Sequence, residues 1–145
     1  MVNSRVFKDS MDELIDAMVD TSDKYSRVRL PTDAAAADVW EKAIFTAPFN
    51  CVVKDVIIVV DTTIGQATNY MTLDVQSKGA AGTGTTSLGT RAVNSTNTLT
   101  AFLGTDLVST DAEVTDGHSI SLKKTKTGDG QVFPGGLAIV RYEKA

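Results

Sequence analysis

Histidine and cysteine occur once each in this chain, as His118 and Cys51, and proline only three times. A lone cysteine excludes an intrachain disulfide. A catalytic thiolate needs a base beside it, and the single histidine is far away in sequence. Cys51 lies inside a β-branched run, so it reads as a small core hydrophobe. No apolar run approaches the roughly 18 residues that span a bilayer, and no membrane contact is expected. Positive charge is also scarce: the net charge of -4 offers nucleic acid no clustered basic face. The leading residues Met1 to Val6 lack the apolar centre of a signal peptide. The expectation is a protein made in a cytoplasm that stays there or leaves by lysis.

What the chain does contain is concentrated in one stretch. From Val56 to Val60 five apolar residues follow one another, all of them β-branched. Such side chains are stiff at the first torsion and suit a pleated surface. The run ends in the turn-like Asp61-Thr62-Thr63-Ile64-Gly65, which marks it as a strand rather than a helix. Pro48 cannot donate to a ladder, so two strands are expected, over 43–47 and 51–60. Met71, Leu73 and Val75 then alternate with Thr72, Asp74 and Gln76, a strand with one wet face. Gly79 to Thr86 holds only small residues and reads as a surface loop. No Gly-Lys-Ser/Thr follows its glycines, so it is not a phosphate cradle. Further strands are expected over 88–93, 97–103, 107–114, 118–126 and 137–142. Seven or eight strands at spacings of roughly 10 residues indicate an all-β antiparallel sandwich or barrel.

Residues 1–42 differ, with nine acidic and six basic residues and the alanine run Ala34 to Ala37. Ser10-Met11-Asp12-Glu13 fits a capping box. Met11, Leu14, Ile15, Met18 and Val19 recur at helical spacing, opposite Asp12, Glu13, Asp16 and Asp20. A short amphipathic helix over about 10–20 is expected, and so short a helix must pack on something. Two partners stand open: its own β body, or a neighbouring subunit or other protein. The division is therefore an N-terminal arm, 1–42, and a β-sandwich, 43–145. Trp40 is read as an anchor between them.

Catalysis would need a nucleophile with its base, a carboxylate pair in a cleft, or metal ligands. Asp106, Asp111, Glu113 and Asp116 are acidic and close in sequence, but the glycine-punctuated calcium loop is missing. Lys123, Lys124 and Lys126 read as protection of a strand edge, or as a contact with an acidic partner. No catalytic residue, metal or cofactor is assigned, and the chain is expected not to be an enzyme. A lone two-layer sandwich leaves the outer face of every sheet wet, yet Val56–Val60 is apolar at every position. Something must cover that face: the arm, or another copy of the chain.

Three stretches carry a resemblance: Phe45-Thr46-Ala47-Pro48-Phe49 before the valine-rich strand; Asn69-Tyr70-Met71-Thr72-Leu73-Asp74-Val75; and Asp116-Gly117-His118-Ser119-Ile120-Ser121-Leu122 with Gly128-Asp129-Gly130 and Pro134-Gly135-Gly136-Leu137-Ala138-Ile139-Val140. In these, residues 43–145 resemble the small jelly-roll decoration (cement) proteins on the heads of tailed bacteriophages. The resemblance implies a homotrimer on the capsid surface of a virion, bridging subunits of the major capsid protein. On that reading the arm contacts are Met11, Leu14, Ile15, Met18 and Trp40, and the self-association face is Val56, Ile58 and Val60. The alternative is a receptor- or carbohydrate-binding module of a phage tail or fibre. Sugar sites rely on exposed aromatics, and only nine aromatic residues occur here, most of them in core-like strand positions.

Overall fold

The computed structural model describes residues 23–145. Nine strands run in chain order: β1 (Lys24–Thr32), β2 (Trp40–Thr46), β3 (Cys51–Val60), β4 (Tyr70–Ser77), β5 (Thr86–Val93), β6 (Thr105–Asp106), β7 (Ala112–Val114), β8 (Ser119–Thr127) and β9 (Pro134–Lys144). The first sheet has the order β1-β9-β3-β6, with β7 also on β3, and the second has the order β2-β8-β4-β5. Every ladder between these strands is antiparallel.

Strands β6 and β7 share one edge of β3, opposite Ile57–Ile58 and Cys51–Val53 respectively. Taken as one interrupted strand, they bring the total to eight. The pairing is then nested: β1 with β9, β2 with β8, β3 with β6 and β7, β4 with β5. Rolling this ribbon so that β9 also meets β3, and β8 also meets β4, makes a jelly roll.

The apolar patterns explain the layers. Cys51, Val53, Val56, Ile58 and Val60 of the first sheet face Met71, Leu73, Val75, Ile120 and Leu122 of the second, all buried. Between Val53 and Asp55 the β3–β9 register slips by a residue, as at a bulge. The slip sets the parity of the rest of the strand, so Val56, Ile58 and Val60 point inward.

Several expectations are corrected here. The sandwich includes β1 and β2 from Lys24 onward, so it begins well before residue 43. β1 is an edge strand, which is why Pro31 is tolerated inside it. Its polar and charged residues alternate with Val28 and Leu30, a pattern hidden by the charge of the segment. Residues 97–103 form no strand, only isolated bridges at Leu99 and Ala101. The lysine cluster is not on an edge, because β8 lies between β2 and β4. The expected helix over 10–20 lies outside the described residues.

Candidate interaction surface

Side chains directly opposite across a ladder share a face of the sheet. Register therefore gives the outer face of the first sheet row by row. Arg27 pairs with Ile139, Ile139 with Ile57, and Ile57 with Asp106, a complete row across four strands. The next row runs Arg29, Leu137, Val59. In the other direction it runs Tyr25, Arg141, Asp55. Ile57, Val59, Leu137 and Ile139 are half-buried, whereas Arg27, Arg29 and Asp106 are exposed. The face thus has an aliphatic centre, a basic margin on β1 and an acidic margin on β6.

Beyond β3 the loop before β6 extends this surface. A Cβ on Gly104 would come within 2.9 Å of Ile57 Cγ2, so the loop backbone lies against that side chain. Phe102 and Leu103 beside it are 79% and 59% exposed. Phe102 holds a left-handed backbone at φ 59°, pinned by its N–H donating to Val60 O at 2.9 Å. An aromatic in that conformation is uncommon, and here it keeps an apolar ring in water.

Charged groups at the bulge are linked. Arg141 donates to Asp55 and, at 3.1 Å, to Asp23. The Asp55 and Asp23 carboxylates hold the guanidinium proton more tightly than usual. Asp106 has no such cation. Although the residue is exposed as a whole, partial desolvation pushes its carboxyl above the ordinary range, and the neighbouring Asp55 adds to that, against the Val108 N–H that donates to it at 3.0 Å. Lys54 sits between Asp111 at 2.6 Å and Glu143 at 3.3 Å, which hold its ammonium proton above the ordinary range. Asp116 donates its N–H to Asn50 Oδ1. Among the described residues no group of three or more His, Cys, Asp or Glu is placed to hold a metal ion.

At one end of the roll, a cavity of about 500 Å³ opens among Thr62, Gln66, Asn69, Asp129 and Gln131. It contains no aromatic ring on which a sugar could stack. Below it, Lys124 is fully buried and bonded to Asp33, which also accepts Trp40 Nε1–H at 2.8 Å.

The residues singled out from the sequence fall in three places. Met11, Leu14, Ile15 and Met18 lie outside the described residues. Trp40 opens β2 and packs edge-on against Phe133, with ring centroids 5.6 Å apart, so it belongs to the sandwich. Val56, Ile58 and Val60 are 0–1% exposed in the core, which corrects the face assigned to them. The outward residues are their neighbours Ile57 and Val59. In a run of five apolar residues both parities look alike, and no sequence signal locates the bulge that chooses between them.

No protein-family model matches the chain, and no curated protein matches it. Solved structures with a similar trace include infectious bursal disease virus, Gx strain, at 13% identity and a TM-score of 0.36, covering 87% of this chain and 37% of that one. The VP2 subviral particle of the same virus matches at 14% identity and a TM-score of 0.36, covering 86% and 38%. Its Gt strain matches at 15% and 0.31, covering 88% and 35%. This chain spans under two-fifths of the length of each. The assignment of the fold rests on the strand order of the chain itself.

Proposed function

We propose that this chain is a structural protein of a virus particle, a decoration subunit that adds buried area across joints in a tailed-phage head. The observation that carries the reading is a jelly roll whose outer sheet face is aliphatic at its centre and charged at both margins. Jelly rolls recur in viral capsid and lectin domains. An aliphatic sheet face in water favours association with a further protein surface. The major capsid protein is the partner on this reading, and the stripe Met11, Leu14, Ile15, Met18 is the segment that reaches it. A lectin role is less well supported, because the loop-end cavity offers sugars no aromatic platform.

The test is to add the full chain, and a version beginning at residue 23, to phage heads purified without it, and to sediment the heads. The full chain sediments with them and the shortened chain does so weakly. A full chain that stays in the supernatant overturns the reading, and equal binding of the two removes the arm from it.

A further inference from the structure

The outer face of the first sheet carries its own electrostatic complement. In the row Arg27–Ile139–Ile57–Asp106 a cation ends one side and an anion the other, with two isoleucines between. Neighbouring strands lie about 4.8 Å apart, so the two charges are roughly 14 Å apart and cannot pair within one chain. Among the described residues neither Arg27 nor Asp106 forms an ion pair, and Asp106 meets backbone N–H groups of Val108 and Val56 and the carboxyl of Asp55 but no cation. We infer that this face pairs with the same face of a second copy, about a two-fold axis running parallel to the strands between β3 and β9.

Geometry selects that axis. A two-fold along the strands exchanges the two sides of the face, so Arg27 of each copy meets Asp106 of the other, twice by symmetry. Ile57 then lies over Ile139, and Val59 over Leu137. A two-fold across the strands through this row would instead stack Arg27 on Arg27, which like-charge repulsion opposes. The dimension is adequate too. Three long strands and the two-residue β6, with β1 nine residues long, offer a face of roughly 450–600 Å² per copy, at the lower end of specific interfaces. A face closed by a second copy is not free for the major capsid protein, so on this inference attachment to a capsid falls to the stripe Met11, Leu14, Ile15 and Met18, and the self-association assay does not depend on it.

Light scattering and sedimentation equilibrium of the full chain test it, with two charge reversals. The expected result is an even-numbered assembly. Arg27→Glu and Asp106→Lys each weaken association roughly tenfold or more, as loss of an interfacial charge pair does. The double variant R27E/D106K restores it, because the two signs are simply exchanged. Circular dichroism checks that each variant stays folded, and Arg27→Glu alters only an exposed strand residue. A monomeric full chain, as expected if its own leading segment covers the face, overturns the inference. So does a trimer indifferent to both reversals, or a double variant no better than the singles.

Discussion

Lys124 and Asp33 are bonded to each other inside the sandwich, 0% and 4% exposed at the side chain, and 91 positions apart in the chain. Asp33 also accepts the Phe133 N–H at 3.0 Å and the Trp40 indole N–H. One carboxylate thus ties the loop after β1 to β2, β8 and the approach to β9. Removing one member of a buried pair strands the other charge, at about 3–5 kcal/mol. Lys124→Met leaves Asp33 its two N–H donors, whereas Asp33→Ala strands an ammonium and two N–H groups. Urea unfolding of both variants is expected to rank Asp33→Ala as the more damaging. The reverse order would mean the lysine stem, not the charge, holds this region.

Asp106 makes the fold sensitive to pH in a set direction. Partial desolvation and Asp55 keep its proton bound more tightly in the fold than in the unfolded chain. Its contribution is therefore favourable in acid and is lost as pH rises through the folded value. Asp106→Asn keeps an oxygen for the Val108 N–H but does not ionise. Unfolded at dilutions where single copies prevail, the variant is expected to be the more stable protein near neutrality. Its advantage shrinks as the medium is acidified. A gap that widens in acid would contradict the assignment.

Phe102 holds its left-handed backbone at a cost of about 1–2 kcal/mol for an L-residue. Phe102→Gly removes that cost while raising the entropy of the unfolded chain, so a net gain near 1 kcal/mol or less is expected in a thermal melt. A loss of stability would show that the ring packs onto the body.

Gly136 tests the close approach of β9 to β3. A Cβ there would stand 2.1 Å from Val59 O, a backbone atom with no rotamer to yield. Gly136→Ala is expected to cost about 1–3 kcal/mol, the range for forced overpacking, in chemical denaturation. A neutral result would show that the two strands part easily.

Cys51 is 1% exposed, and burial pushes its thiol above the ordinary range. A thiol-specific reagent is expected to label it only as fast as the protein opens, and rapidly in urea. Prompt labelling of the folded chain would place Cys51 at a mobile edge.

The sequence by itself determined the all-β class and the bounds of β3, β4, β8 and β9 to within a few residues. It did so because period-two alternation and β-branched runs are local signals. It also placed the surface loop that begins at Gly79, ahead of β5, where a run of small residues leaves little choice. Three matters were decided only by tertiary structure. The first is β1, a charged edge strand whose partner β9 lies over 100 residues away. The second is Lys124, which looked solvated until Asp33 arrived from the loop before β2. The third is the parity of β3. Five consecutive apolar residues satisfy either face of a sheet, and a single slipped residue between Val53 and Asp55 put Val56, Ile58 and Val60 in the core and left Ile57 and Val59 facing out.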